Sequence, residues 1–333
     1  MTRSRWVVSG AAAVVAVGML AGAGAILVGS AQAAVGPLPG EALLLPADAK
    51  FVGGLDVKRF VQSSFYVKYA KEKKGGGRPE SFRDLEEKTG LNPERDIETV
   101  IFAGSPGSGK EGVVVATGRF DRAKISQVIE TEKRVTSKNV LGVPVYLFSE
   151  GSKGAGAVAF IDDRTLVLGT QAAVESAITS HSQGGKSLKS NATIMSLLEH
   201  VRPDATFWMV GDQSVLENMP KNIPNPGGGG GQITLPGLKN LTVAGDMEPM
   251  IAIEITGEAN DEAAAKNLAD VVRGFVALAS LQANQKPELK ELASAISVTT
   301  EARNVRLNAR VPYELLDALQ KPQPRQSVDT AAR

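Results

Sequence analysis

The sequence predicts an α+β fold in which two tandem, related modules follow an N-terminal signal or anchor helix. Each module is expected to be an antiparallel sheet with helices packed on one face. Three observations lead to this prediction: a repeated opening motif, strand-length apolar runs that alternate with amphipathic helical segments, and an uncharged apolar run near the N-terminus. With 333 residues, 43% of them hydrophobic, the chain is long enough for about two domains.

The opening motif of the repeat is Asp-Ala-x-Phe followed by an apolar run. It begins at Asp48 and again at Asp204, 156 residues later, and in both copies a second aspartate follows eight residues on, at Asp56 and Asp212. Each second aspartate is placed to cap a helix. The two copies therefore predict the same local structure: a strand that leads directly into a capped helix.

A later match supports the repeat and helps to set the module limits. Thr117-Gly118 recurs as Thr256-Gly257 at an offset of 139 residues. The two offsets differ because the first module carries an additional short helix between its first helix and second strand. The predicted divisions are a signal peptide or membrane anchor at 1–33, a first module at 48–180, a linker and linking helix at 181–203, a second module at 204–320, and a disordered tail at 321–333.

The elements of the first module follow from apolar spacing and helix caps. Phe51–Leu55 is an apolar run of strand length, and Asp56 precedes a helix predicted from 57 to about 73, whose apolar residues recur at helical spacing. The remaining predicted elements are helices at 81–89, after Asp121 and at 171–179, and strands at 99–103, 112–117, 143–148, 155–161 and 165–169.

The second module contains strands with strict alternation. Ile251, Ile253 and Ile255 alternate with Ala252 and Glu254, so one face of this strand is predicted to be buried and the other partly wet. The remaining predicted elements are strands at 241–244, 296–299 and 304–310, helices at 261–281 and 314–319, and a linking helix at 191–200.

The N-terminal segment predicts export to the periplasm or cell envelope. Arg3 and Arg5 precede an uncharged run from Trp6 to Ser30, and Ala31-Gln32-Ala33 then forms the small-x-small pattern of a cleavage site. Cleavage is expected after Ala33. The alternative is an uncleaved anchor, because residues 6–30 are long enough to span a bilayer, which takes about 20 residues. Contact with a membrane is predicted only through this segment.

Composition excludes several classes of chemistry. The chain has no cysteine, which rules out disulfides, cysteine-ligated zinc and iron–sulfur clusters. The net charge is +1, so a nucleic-acid partner is not expected. The two histidines, His181 and His200, have no second ligand at metal-binding spacing. The sequence therefore predicts no catalytic residue, no metal site and no cofactor.

One motif resembles a nucleotide-binding loop. Gly104–Lys110 fits the pattern G-x-x-x-x-G-K, but Glu111 follows where a P-loop requires serine or threonine. A strand pattern then begins at Gly112, whereas phosphate binding needs a helix N-terminus. We interpret the motif as a hairpin loop.

Three stretches resemble a known group of proteins. They are Leu45-Pro46-Ala47-Asp48 before the first strand, Gly90–Ile97 before the first hairpin, and Asp163–Gly169 before the closing helix. They resemble uncharacterised bacterial envelope or secreted proteins of unknown function built from duplicated α+β modules. The resemblance covers most of residues 45–320 and brings no catalytic residues. The chain differs from the lipoprotein members in lacking an anchoring cysteine.

These observations favour a non-catalytic envelope protein that serves as a binding or structural module for a protein or another envelope component. The alternative is an extracytoplasmic hydrolase that uses carboxylates or a Ser/Lys pair without a local motif. Gly75–Gly77 and Gly227–Gly231 are predicted to be mobile surface loops. The first loop is the predicted contact for an acidic partner, against the alternative of an insertion without a role, and its basic residues are Lys71, Lys73, Lys74 and Arg78.

Overall fold

A computed structural model describes residues 38, 40–71, 80–105, 112–132, 135–149, 155–217, 222–224, 232–234, 237–281 and 287–320. The predicted signal or anchor at 1–33, both glycine runs and the predicted tail at 321–333 lie outside these ranges. Every helix within them is too short or too polar to cross a membrane.

The strands of the described chain are β1 (Phe51–Asp56), β2 (Ile97–Gly104), β3 (Val113–Gly118), β4 (Val135–Val140), β5 (Val143–Ser149), β6 (Ala155–Phe160), β7 (Thr165–Thr170), β8 (Phe207–Asp212), β9 (Asn222–Pro224), β10 (Gln232–Thr234), β11 (Leu238–Asp246), β12 (Ile251–Ala259), β13 (Ile296–Glu301) and β14 (Asn304–Val311). The helices are α1 (Val57–Gln62), α2 (Glu80–Thr89), α3 (Pro93–Asp96), α4 (Arg122–Glu130), α5 (Gln171–Gln183), α6 (Ala192–Leu198), α7 (Gln213–Glu217), α8 (Glu262–Leu281), α9 (Pro287–Ser294) and α10 (Tyr313–Gln320).

Twelve of these strands form one continuous antiparallel sheet. The order is β13-β14-β12-β11-β8-β1-β2-β3-β7-β6-β5-β4, and β9 pairs with β10 separately. The α+β class and the two tandem antiparallel modules are therefore confirmed. The structure adds that the first strand of each module pairs with that of the other, so the modules share a sheet.

The central pairing of β1 with β8 is nearly symmetric. Gly53 lies opposite Met209, and these two residues are related by the 156-residue offset of the repeat. Phe51 lies opposite Gly211 and Leu55 opposite Phe207. The pairing therefore extends symmetrically on both sides of Gly53 and Met209. From β1 outward and from β8 outward, the strands follow in corresponding order. The two halves are thus related by an approximate two-fold axis that passes through this strand pair.

The two faces of the sheet are covered differently. In the first half, Val115 and Val167 pack under Ile178 of α5, and on the opposite face Phe160 packs against Ile125 of α4. Helices therefore lie on both faces of this half. In the second half, two apolar clusters, one that contains Val305 and one that contains Met247, lie on the face that α8, α9 and α10 cover. The opposite face of this half carries α6 over β8, where Ile194 clusters with Trp208 and Val210, and no described helix lies over β12 and β14 on that face. Helices therefore lie on both faces of the sheet, whereas the sequence predicted helices on one face.

Side-chain caps fix the helix starts. Asp56 accepts a hydrogen bond from the Arg59 amide at 2.9 Å, and Asp121 accepts one from the Lys124 amide at 3.0 Å. Both predicted caps are confirmed. Asn191 caps α6 and also donates to the carbonyls of Ala47 and Ala49, at 2.8 and 3.0 Å. This asparagine therefore ties the linking helix to the start of β1.

The predicted helix from 57 to 73 is wrong in length. The chain leaves the helix at Ser63, which has extended dihedral angles, and resumes as a π-helical turn at Tyr66–Lys71. The Ser63 hydroxyl donates to the Phe60 carbonyl at 2.6 Å. Serine competes with the helix in this way through its own side chain. The break turns Phe65 and Tyr69 toward the apolar cluster of the second half.

The close approach of β1 to β8 predicts that a side chain at position 54 would destabilise the fold. A Cβ atom at this position would lie 2.9 Å from the buried indole ring of Trp208. We expect Gly54→Ala to lower the free energy of unfolding by about 1–3 kcal/mol, because the ring must move within a packed core. Urea denaturation measures the change.

The matched control is Gly40→Ala, where no heavy atom lies within 4 Å of the added Cβ. Its effect should stay within about 0.5 kcal/mol. Equal stabilities for the two variants would contradict the close packing of Gly54 on Trp208.

Candidate functional site: a polar shelf on the second half of the sheet

The predicted partner site in the first glycine loop is only partly described. Lys71 ends the π-helical turn, and Lys73, Lys74 and Arg78 lie outside the described residues. The contact with an acidic partner remains a prediction. The nucleotide-like loop joins β2 to β3, which pair as antiparallel neighbours. The hairpin interpretation is confirmed, and Lys110 itself lies outside the described residues.

A groove of about 570 Å³ lies on the face of the second half that α8, α9 and α10 leave free. Its floor consists of outward-facing residues of β11, β12, β13 and β14, and its wall is the end of α6. We call this surface the polar shelf. Its principal residues are His200, Arg202, Thr242, Glu254, Thr256, Glu258, Thr299, Arg303 and Arg306.

Strand alternation produces the shelf. On β12, Ile251 and Ile253 join the apolar cluster on the helical side, whereas Glu254 and Thr256 line the groove on the other side. The predicted buried and wet faces of this strand are confirmed. On β14 the same period places Arg306 on the shelf. Because successive strand residues point to opposite faces, the sequence had already assigned these side chains to one surface.

The corresponding face of the first half has the opposite character. There β3 and β7 present Val113, Val115 and Val167, all buried under Val174 and Ile178 of α5. In the second half the matching strands are β12 and β14, and they carry charged and hydroxyl groups instead. The helix after the last strand, α10, joins the apolar cluster of the opposite face through Leu315. Within the described ranges, no helix covers this face over β12 and β14 as α5 covers β3 and β7.

The charges of the shelf are arranged in pairs. Glu254 lies 3.2 Å from Arg306, and Glu258 lies 3.0 Å from Arg303 and 3.4 Å from Lys239. The arginine side chains remain more than half exposed, at 58% for Arg306 and 53% for Arg303. Exposed pairs of this kind contribute little to stability. They leave both signs of charge available to a ligand.

A stronger ion pair holds the wall to the floor. Arg202 donates to Asp246 at 2.7 Å, and the Thr206 amide and hydroxyl donate to the same carboxylate at 2.9 and 3.0 Å. Burial alone would raise the pKa of Asp246, but these hydrogen bonds outweigh it and hold that pKa below its usual range. The hydrogen bond to Asp246 raises the pKa of Arg202 in turn. This cluster fixes the loop between α6 and β8.

One of the two histidines, His200, lines the shelf. His200 Nδ1 lies 2.8 Å from the Ser196 carbonyl, at the end of α6. No group of three or more His, Asp or Glu side chains that could hold a metal ion occurs among the described residues. The shelf therefore presents amides, hydroxyls and paired charges. The alternation of β12 is visible in the sequence, but the shelf is not, because it forms only when the fold brings α6 and β11–β14 together.

Comparisons with known proteins identify no family. No protein-family model matches the chain, and no curated protein matches it. Among solved structures it is similar to TP0453 of Treponema in crystal form III, with 11% identity and a TM-score of 0.47, over 83% of this chain and 95% of that chain. Crystal form I of TP0453 gives 11% identity and a TM-score of 0.45, over 86% and 98%. At this identity the likeness concerns the fold alone.

The Asp246 cluster generates a pH-dependent prediction. Its pKa is lower in the folded than in the unfolded chain, so its stabilisation is present above the unfolded pKa and is lost as pH falls through the folded pKa. Asp246→Asn should therefore lower the free energy of unfolding at pH 7 by about 1–3 kcal/mol. The difference from the native chain should shrink as the pH is lowered below 4.

Asp204→Asn is the matched control, because Asp204 also pairs with Arg202, at 3.1 Å, but is 72% exposed. Its effect should be below about 0.5 kcal/mol. Urea denaturation across the pH range measures both variants. A loss for Asp246→Asn that stays constant down to acidic pH would contradict the assigned role of its charge.

Proposed function

We propose that this chain is a non-catalytic binding module that acts outside the cytoplasm, in the periplasm or cell envelope. Arg3 and Arg5 ahead of the apolar run Trp6–Ser30 support export. The ligand surface is the polar shelf. Attachment to a membrane, in this proposal, occurs only through residues 6–30 where that segment is not cleaved.

The observation that carries the proposal is the uncovered polar face of the second half. Two corresponding faces belong to one sheet, and the first is apolar and buried under α5 whereas the second is polar and open. An antiparallel sheet can simply expose one face to water. Here, however, α6 and Arg202 add a wall to that face and shape it into a groove, which a flat solvated face would not require.

The chemistry of the shelf favours a polar macromolecular ligand. The groove lining contains no Phe, Tyr or Trp among the described residues, so it lacks the large aromatic rings on which sugars and bases most often stack. It offers paired Glu and Arg side chains with threonine and asparagine between them. Such groups match the backbone and charged side chains of a protein surface. We therefore infer a protein ligand.

The shape of the groove supports binding over catalysis. Its floor lies on four adjacent strands and its wall is one short helix, so it is a broad open surface. A hydrolase would instead gather its reacting groups where water is excluded. The carboxylates of Glu254 and Glu258 are engaged with arginines along the strands. This arrangement suits the binding of a ligand that is recognised by the pattern of its charges.

The proposal is tested by placing a large side chain on the floor of the polar shelf. Thr256→Tyr places a bulky ring in the middle of the groove, and Thr136→Tyr is the control, on an exposed position of β4 at the far edge of the sheet. Each purified variant and the native chain are immobilised and exposed to proteins extracted from the envelope of the source cells. We expect one protein to be captured at least about tenfold less by Thr256→Tyr than by the native chain. The Thr136→Tyr control should capture as much of it as the native chain does.

Equal capture of every protein by the two variants would contradict the proposal. Circular dichroism and urea denaturation of both variants confirm that the comparison concerns folded chains.

A further inference from the structure

The outer strand β13 has hydrogen-bonding groups that its own sheet does not use. Among the described strands β13 pairs with β14 alone, and the Arg310 amide donates to the Ala295 carbonyl at 2.9 Å just before the strand. Antiparallel pairing alternates, so Ser297, Thr299 and Glu301 direct their amides and carbonyls toward β14. Those of Ile296, Val298 and Thr300 point away from the sheet. In agreement with this, the Arg273 guanidinium from α8 lies 3.5 Å from the Val298 carbonyl oxygen.

Two charged side chains lie beside this edge without an ion pair among the described residues. Glu301 ends β13 and is exposed, and Arg310 is an exposed residue of β14 that lies opposite Ala295. By the strand period both belong to the face that carries the polar shelf. They lie at opposite ends of β13, one acidic and one basic.

We propose that β13 pairs with β13 of a second copy of this chain, antiparallel and centred on Val298. In that register Val298 lies opposite the partner's Val298, and Ile296 lies opposite the partner's Thr300, so every outward amide and carbonyl finds a partner. Glu301 then lies opposite the partner's Ala295. The partner's Arg310 is on the next strand, about 10 Å away between Cα atoms, within the combined reach of the two long side chains. The symmetry forms this ion pair twice.

The same mode of pairing already joins the two halves of one chain. β1 and β8 pair antiparallel about Gly53 and Met209, and both halves of the sheet continue outward from them. A two-fold axis perpendicular to the sheet at Val298 places the polar shelves of both copies on one face. Each shelf has a wall at α6 and is open toward β13, so the two shelves form one continuous surface with an α6 wall at either end. The dimer does not depend on the proposed ligand.

The edge contact is short, so a concentration-dependent dimer is expected. A six-residue strand pair buries less surface than the standard stable interface, which is about 1,600 Å². The two ion pairs are exposed and are weakened by salt. The Arg273 side chain must leave the Val298 carbonyl as the partner strand binds.

Cross-linking tests the register, since the chain has no cysteine of its own. In the proposed pairing Ser297 lies opposite the partner's Thr299 as a non-hydrogen-bonded pair, with Cα atoms about 4.5 Å apart, which suits a disulfide. Ser297→Cys and Thr299→Cys are therefore purified separately and oxidised mildly, alone and mixed. We expect the mixture to form a linked heterodimer at several times the yield of either variant alone.

Thr136→Cys on the opposite edge strand is the control and should cross-link no faster than free collision allows. No heterodimer in the mixture, or the same yield from each single variant, would overturn the proposed register.

Charge reversal tests the ion pairs in the cysteine-free chain. Sedimentation equilibrium should show that Glu301→Lys and Arg310→Glu each weaken the dimer by about tenfold, and that the double variant restores it. Thr300→Pro should also weaken it, because it removes an outward amide without removing a bond to β14. A native chain that stays monomeric at every concentration, or a double variant no tighter than the single ones, would overturn the proposal.

Discussion

The pairing of β1 with β8 is the interaction on which the rest of the structure depends. It joins two modules that would each leave an apolar strand edge exposed, and it produces one sheet of twelve strands. Contacts beyond the strands strengthen the junction. The Tyr69 hydroxyl lies 2.8 Å from a carboxylate oxygen of Asp317 and 3.0 Å from the Tyr313 carbonyl oxygen, and the Ser64 amide donates to Glu248 at 2.8 Å. The first half therefore packs its own helical turn onto the core of the second.

This junction also accounts for the candidate site. The linking helix α6 must cross from the end of the first half to the start of β8, and Asn191 holds it beside β1 on the way. Its end then stands over the first strands of the second half and forms the wall of the polar shelf. Since α10 packs on the other face, nothing in the described chain covers the strands beyond that wall. The shelf is a consequence of how the chain passes between its modules.

Much of the fold could be predicted from local patterns, and the site could not. The alternation of Ile251, Ile253 and Glu254 and the cap at Asp56 are local features, and the structure confirms them. β4 escaped prediction because Val135–Val140 is polar and sits at the sheet edge, where little burial is needed. The merging of the modules has no local signal, because an apolar strand does not specify its neighbour. The shelf joins α6 to strands that lie far from it in the sequence.

Native-state amide hydrogen exchange of β1 and β8 tests the central claim most directly. If their pairing holds the two halves together, the amides of Val52 and Val210 should exchange only through global unfolding, with the same opening free energy and the same denaturant dependence. Both should be more protected than amides of the edge strands β4 and β13. The claim would be contradicted if the strands of the second half, including β8, opened at a clearly lower free energy while β1 stayed protected.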